Sequence, residues 1–181
     1  MKLSEKDGKR FYDLWLPLLD YVNEKRGVNS ALRDIQLADY LDPNEVKEVS
    51  DVLWNDVDLI DEYLSSAEDI TDHDRELILS WKRCISGRFI LERILKKGAI
   101  LISAEDEEVY QVSGIISTWD EMFGYAHLPL MIQATLIPFE DVIISDGLIQ
   151  TYNVIIGGNM ARSFKDIYMA AKKNGTIHRQ I

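Results

Sequence analysis

The segment after the last predicted strand carries the residues best suited to bind a small molecule. Gly157 and Gly158 form a flexible turn into a predicted helix, and Asn159 follows them. The first amides of a helix, together with the positive end of its dipole, attract anions. Arg162 and Lys165 add positive charge, and an arginine can hold a phosphate or a carboxylate through two parallel hydrogen bonds. These five residues predict an anion site. In the structural alternative, the glycine pair only turns a strand into a helix that Asn159 caps.

An enzyme built on this anion site needs a general base, for which Asp146 is the candidate. The sequence contains no Gly-x-Ser-x-Gly elbow, no phosphate-binding loop and no dinucleotide-binding fingerprint. Cys84 is the only cysteine, and its position with Trp81 and Ile85 on an apolar helix face favours packing over nucleophilic catalysis. One cysteine and three dispersed histidines do not make a closed zinc site. We therefore assign no catalytic residue, no metal and no cofactor.

Three aromatic residues form a second candidate surface. Trp119, Phe123 and Tyr125 lie within Thr118–His127, which we predict to be a loop or a short helix. Aromatic side chains are enriched among the residues that dominate binding energy at protein interfaces. We predict that these three residues contact a partner. In the structural alternative, the segment is a lid that packs on its own sheet.

Acidic residues are concentrated between residues 34 and 76. Fifteen Asp and Glu side chains oppose only Lys47 and Arg75 there, which gives a net charge of -13, whereas the whole chain carries -11. This segment predicts a surface for a basic protein partner or a mimic of nucleic acid. The simpler interpretation is the solvated outer face of packed helices. The net negative charge argues against direct binding to nucleic acid or anionic lipid, because basic side chains supply most of that affinity.

The spacing of apolar residues divides the 181-residue chain into two regions. The spacing is mostly helical in residues 1–86. In residues 87–181 it is mostly strand-like, with one helix from about Met160 to Lys173. We predict an α+β protein in which the helical half packs on a small, curved antiparallel sheet or barrel that ends with this helix.

Two local predictions within the β-rich region depend on glycine. Residues 88–95 fit either a helix or a strand, and we prefer a strand because one glycine stands shortly before them and another shortly after. Asp146-Gly147 separates two apolar, β-branched runs, Val142–Ile144 and Leu148–Ile156. Because Asp-Gly in that position is a strong hairpin signal, we predict that these two runs pair with each other.

No stretch of the sequence predicts secretion or membrane insertion. The first residues are charged and lack an apolar signal region, and no run reaches 18 apolar residues. A single cysteine suits a reducing compartment. We therefore predict a cytoplasmic protein that does not bind membranes.

Three short segments of the C-terminal region, Leu136–Phe139, Asp146–Ile149 and Ser163–Lys165, follow one another along the chain. With the residues around them, roughly 130–175, they resemble a family of uncharacterised bacterial proteins. The resemblance implies a bacterial origin and an α+β C-terminal region. It implies no activity.

These features predict a non-catalytic intracellular binding or interaction module with an acidic helical face. One alternative is a small-anion-binding protein or hydrolase with its site at the start of the last helix. The other alternative is an acidic mimic of nucleic acid.

Overall fold

A computed structural model of the protein describes residues 1–32, 35 and 41–181. It confirms the predicted α+β class, because helices come first in the chain and are followed by a sheet and a final helix. The chain forms two compact units. We call Glu5–Arg83 the helical unit, and we call Met1–Ser4 together with Cys84–Ile181 the barrel unit.

Four α-helices and one short 3-10 helix build the described part of the helical unit. They are α1 (Glu5–Arg26), α2 (Pro43–Asn55), α3 (Leu59–Ser66), α4 (Asp72–Ser80) and the 3-10 helix Trp81–Arg83. Capping side chains set where α2 and α4 begin, because the first amides of a helix have no partner within the helix. Asp42 accepts a hydrogen bond from the Asn44 amide at 2.8 Å. Thr71 accepts one from the Asp74 amide at 3.1 Å.

Six strands and two helices build the barrel unit. The strands are β1 (Ile85–Leu95), β2 (Gly98–Ser103), β3 (Val109–Ser113), β4 (Leu130–Phe139), β5 (Val142–Ser145) and β6 (Gln150–Thr151). The helices are α5 (Trp119–Phe123) and α6 (Gly158–Asn174). The order β1-β2-β3-β5-β4 closes into a five-stranded barrel because β4 also pairs with β1, and β6 adds to β4. The β3–β5 pair is parallel, so the sheet is mixed, which corrects the predicted antiparallel sheet.

β1 pairs with both β2 and β4, which is what closes the barrel. Its register with β2 shifts between Leu91 and Arg93, so Glu92 is the extra residue of a β-bulge. A bulge bends a strand and increases its twist, and both effects help a small sheet to close. The prediction of a strand over residues 88–95 is confirmed.

Apolar side chains that alternate along the strands fill the barrel interior. The buried strand residues of this core are Phe89, Leu91, Ala99, Leu101, Tyr110, Val112, Ile132, Ala134, Leu136 and Ile143. α5 adds Trp119 to the same core. A capping box fixes the start of α5, because Thr118 accepts a hydrogen bond from the Glu121 amide and the Glu121 carboxylate accepts one from the Thr118 amide.

The first residues of the chain belong to the barrel unit. The Leu3 amide donates to the Gly114 carbonyl at 2.9 Å, and the Gly114 amide donates to the Met1 carbonyl at 3.1 Å. The chain therefore leaves the barrel unit after Ser4 and returns to it at Cys84.

The hairpin predicted at Asp146-Gly147 is wrong. β5 and β6 both pair antiparallel with the same edge of β4. They do not pair with each other. The Asp146 amide donates to the Thr135 carbonyl of β4 at 3.1 Å. The Asp146 carboxylate accepts a hydrogen bond from the Leu148 amide, also at 3.1 Å. These two hydrogen bonds hold the segment between β5 and β6 beside β4. The segment therefore forms a bulge, and the chain continues antiparallel to β4 instead of reversing direction.

The strand order and the parallel β3–β5 pair are those of the OB-fold, a five-stranded Greek-key barrel. In many such barrels the outer face of the second and third strands binds oligonucleotides or oligosaccharides. Here α6 packs on the outer face of β1, β2 and β3. The fold alone therefore supports no function, because function resides in a site rather than in an architecture.

Candidate binding surface

An apolar inner face attaches α6 to the barrel. Tyr168 and Ala171 are buried there, and Phe164 and Ile167 pack beside them. They cover four outward-facing strand residues, Ile90, Ile100, Ile102 and Val109. The Arg93 guanidinium lies 4.2 Å from the centre of the Tyr168 ring, which is a cation–π contact. The bulge in β1 and the middle of α6 are thereby held together.

The chain after α6 returns to the barrel and fixes the C-terminal end of the helix. Gly175 has a φ of 71°, a left-handed conformation that ends helices and suits glycine. The His178 amide donates to the Val109 carbonyl at 2.8 Å, and the His178 carbonyl accepts from the Gln111 amide at 2.9 Å. The His178 ring stacks on Tyr110 with 5.1 Å between ring centres. α6 is therefore fixed both along its inner face and at its end.

Large apolar side chains are exposed on the loop before α6 and on its first turn. Ile155 is 95% exposed, Val154 is 51% exposed and Met160 is 53% exposed. Arg162 and Lys165 follow on the exposed side of α6. We call the exposed segment that carries these five side chains the loop–helix surface. Exposed apolar side chains grouped in a short segment are typical of interaction sites.

The three apolar members of this surface were missed by the sequence prediction. That prediction placed Val154 and Ile155 inside a paired strand, whereas β6 ends at Thr151 and these two residues are exposed. The sequence does contain one signal. Residues 147–161 carry no charge, although 28% of the chain is charged. An uncharged run of this kind is typical of a buried strand, so only the structure reveals its exposure.

The five predicted anion-site residues lie together at the start of α6. Gly157 is the N-cap, and Gly158 and Asn159 begin the helix, two residues earlier than predicted. Gly157 provides no capping side chain, and the first turn contains no acidic residue. All five residues, including Arg162 and Lys165, are exposed. They form an open surface, so anion binding stays a prediction.

β6 precedes this surface in the chain and has an open edge. Gln150 and Thr151 pair with β4 on one side, and no other described strand pairs with them. The Tyr152 amide donates to the Met131 carbonyl of β4 at 2.9 Å. Because backbone groups alternate in direction along an antiparallel ladder, the N–H and C=O of Thr151 point away from β4. The Tyr152 hydroxyl also donates to Gln133 Oε1 at 2.9 Å, which fixes the start of the loop.

No protein-family model, curated protein or solved structure matches this chain. No helix in the described ranges is long and apolar enough to cross a bilayer. Among the described residues, no three His, Cys, Asp or Glu side chains gather in a way that could hold a metal ion. The chemistry of the loop–helix surface is therefore the strongest guide to function.

The three residues of the predicted aromatic surface differ in how deeply their side chains are buried. Trp119 is 1% exposed and stacks on Phe123, with 5.6 Å between ring centres. Its burial in the barrel core corrects the expectation that Trp119 contacts a partner, and it favours the structural alternative for that residue. Tyr125 is 100% exposed. A partner-binding role therefore stays a prediction for Tyr125 and for the partly exposed Phe123.

Asp146 does not join the predicted anion site. It is 2% exposed and its carboxylate is engaged in the bulge between β5 and β6, whereas the five anion-site residues are exposed. A general base has to come within hydrogen-bonding reach of the substrate proton. The structure therefore gives no support to a hydrolase that uses Asp146 as its base.

Cys84 lies just before β1 and not on the predicted helix face, because α4 ends at Ser80. Burial raises the pKa of the Cys84 thiol, and the nearby Asp146 carboxylate raises it further. The thiolate is the reactive form of cysteine. Both effects therefore oppose a role for Cys84 as a nucleophile.

We expect Cys84 in the native protein to react slowly with iodoacetamide at about pH 7.5, because little of it is thiolate. The rate should rise about tenfold per pH unit and keep rising above the usual thiol pKa of 9.0. Mass spectrometry of samples quenched at intervals measures this rate. The chain unfolded in urea is the control and should react faster at each pH below 9.0. Faster alkylation of the native protein at neutral pH would contradict the prediction.

Cations from outside the acidic segment neutralise part of it. Four such cations form ion pairs within the helical unit: Arg10–Asp74 at 2.6 Å, Lys25–Glu62 at 3.2 Å, Arg26–Asp56 at 2.6 Å, and Lys82 with Asp58 at 3.0 Å and with Asp61. Lys47 pairs with Asp51 at 2.6 Å. Asp34 and Asp39 lie outside the described residues. These pairs favour the interpretation of the segment as a solvated outer face.

Proposed function

We propose that the protein is a binding module that holds a protein partner on the loop–helix surface. The exposure of Ile155 carries this proposal. An isoleucine that is 95% exposed, next to the half-exposed Val154, offers apolar area that a partner would remove from water. Such burial contributes about 25 cal/mol per Å².

The way the surface is supported also favours binding. The barrel and the C-terminal tail hold α6, and the hydrogen bonds of Tyr152 attach the start of the loop to β4. A segment fixed in this way has little conformational freedom to lose when a partner binds. Preorganisation of this kind increases affinity without adding contacts.

A comparison of two variants tests the proposal. Ile155→Asp places a charge in the loop–helix surface, and Ile116→Asp does so at another exposed isoleucine, which is 60% exposed. Each purified chain is immobilised, and the proteins retained from the source cell are quantified. We expect a partner that Ile155→Asp retains about thirtyfold less than the wild type does, the loss of about 2 kcal/mol typical of an interface hot spot. Ile116→Asp should retain it normally. Identical sets of retained proteins, with melting temperatures unchanged, would contradict the proposal.

A second candidate is a basic partner bound by the helical unit. It is favoured by four acidic residues around the α3–α4 turn that have no ion pair among the described residues, Glu68, Asp69, Asp72 and Glu76. A partner held there would be retained equally by Ile155→Asp and the wild type, and added salt would release it. The ion pairs elsewhere in the segment weaken the nucleic-acid mimic, because paired carboxylates do not reproduce a row of free phosphates.

A further inference from the structure

We infer that the edge of β3 is a binding site for a short basic peptide strand, and that the C-terminal tail, residues 176–181, occupies this site within its own chain. A partner peptide of the same chemistry has to displace the tail, so the tail acts as an autoinhibitory contact. The site contains none of the residues of the loop–helix surface. The inference therefore goes beyond the proposed function and does not depend on it.

The backbone of β3 holds the tail as a strand. His178 pairs with Tyr110 in parallel orientation. The His178 amide donates to the Val109 carbonyl at 2.8 Å, and the His178 carbonyl accepts from the Gln111 amide at 2.9 Å. β5 pairs with this edge of β3 only from Val112 onward. The tail thus uses the backbone hydrogen bonds that a peptide forms when it adds a strand to the edge of a sheet.

Two side chains of the tail show which residues the site accepts. Ile177 is buried in the apolar cluster that β1, β2 and β3 share with α6. The His178 ring stacks on Tyr110, and its Nε2 atom lies 2.8 Å from a carboxylate oxygen of Glu108. Arginine also stacks on aromatic rings and pairs with carboxylates. The site therefore suits an apolar residue followed by histidine or arginine.

The charge around the site selects a basic peptide. Residues 105–108, in the turn between β2 and β3, are four consecutive acidic residues, and all are exposed. Among the described residues, only His178 forms an ion pair with them. Lys172 and Lys173, on the last turn of α6, form none. Arg179 follows His178 in the tail, and the net charge of -11 attracts a basic peptide at long range as well.

The site extends beyond the tail. An open cavity of about 290 Å³ is lined by Thr176 of the tail, by Glu107 and Glu108, and by Ile167 and Ala170 of α6. Lysine combines an apolar stem with a charged end, which matches a cavity lined by apolar and acidic residues. Because the tail is attached to the chain, its effective concentration at β3 is about millimolar or higher. A partner with lysine at the position of Thr176 has an additional contact with which to compete.

A labelled hexapeptide with the sequence of the tail, but with lysine in place of its threonine, is the probe. The full chain is used as the wild type and as the double variant Ile177→Asp with His178→Asp, which removes the tail's own contacts. Fluorescence anisotropy measures the two affinities. We expect the double variant to bind the peptide about tenfold more tightly than the wild type, because its tail no longer competes. A control peptide with aspartate in place of its isoleucine and histidine should bind neither form.

Hydrogen exchange measured by NMR shows where the peptide binds. In the double variant, the peptide should slow exchange of the Gln111 amide by about tenfold or more, because it supplies the acceptor that the tail no longer provides. In the wild type, excess peptide should instead speed exchange of the His178 amide, because the displaced tail loses its bond to Val109. The wild-type measurement decides the question even if the double variant is unstable.

Two charge reversals test the acidic turn. Glu108→Lys, added to the double variant, should weaken peptide binding by about tenfold. Glu24→Lys makes the same charge change at an exposed position of α1 and should alter binding by less than about twofold.

Several outcomes would overturn the inference. They are absence of binding to the double variant up to about 1 mM, equal affinities of the two forms, unchanged exchange at Gln111 and His178, and equal effects of the two charge reversals. None of these measurements involves Ile155, so their failure leaves the test of the proposed function unaffected.

Discussion

Replacing Gly98 with alanine should destabilise the protein by about 3–5 kcal/mol, through a backbone clash and a strained φ angle together. Gly98 opens β2 with a φ of +122°, a conformation that L side chains rarely adopt. A Cβ atom there would lie 2.3 Å from the Val112 carbonyl oxygen, which belongs to the backbone of the paired strand β3 and has no flexible end that could move aside. For a chain of this size the melting temperature should fall by about 10 °C or more.

Gly87→Ala is the matched control for this prediction. Gly87 lies in β1, no heavy atom within 4 Å would meet its Cβ, and its φ is not in the positive range. Alanine there should leave stability unchanged or raise it slightly, because it restricts the unfolded chain. Urea denaturation of both variants gives the two free energies of unfolding. If Gly98→Ala were as stable as Gly87→Ala, the close approach of β2 to β3 described here would be wrong.

The second large effect concerns the aromatic residues of α5 and the loop after it. Trp119→Ala should cost about 3–5 kcal/mol, because it removes a large side chain from the barrel core and leaves a cavity. Tyr125→Ala should change stability by less than about 0.5 kcal/mol, because the tyrosine is 100% exposed. Thermal and urea unfolding measure both. Equal costs would contradict the division of these aromatics into one core residue and one surface residue.

That division illustrates what the sequence cannot specify. Trp119 and Tyr125 stand six positions apart in one short segment, and both fit an exposed aromatic loop. Which of them is buried depends on where α5 lies against β-strands that are distant in the chain. The neutralisation of the acidic segment depends on tertiary structure in the same way. The cations that pair with its carboxylates, such as Arg10 and Lys82, lie outside its boundaries in the sequence.

Local signals were sufficient for other parts of the fold. The bracketing glycines correctly identified β1 as a strand, and Asp42 and Thr71, residue types that commonly cap helices, stand where α2 and α4 begin. Asp146-Gly147 shows the limit of such signals, because the same dipeptide suits both a hairpin and a bulge. Only the bond from the Asp146 amide to Thr135 distinguishes the two, and that bond joins residues of different strands.

The pairing of the first residues with Gly114 has a consequence for how the chain folds as it leaves the ribosome. All of the helical unit is synthesised before Gly114 exists, so the helices can fold while Met1–Ser4 still lack their partner. The barrel unit therefore recruits Met1–Ser4 only after the whole helical unit has been synthesised. A fragment that begins at Cys84 would therefore lack part of its own edge, and engineering the barrel unit as a separate protein requires these four residues to be supplied again.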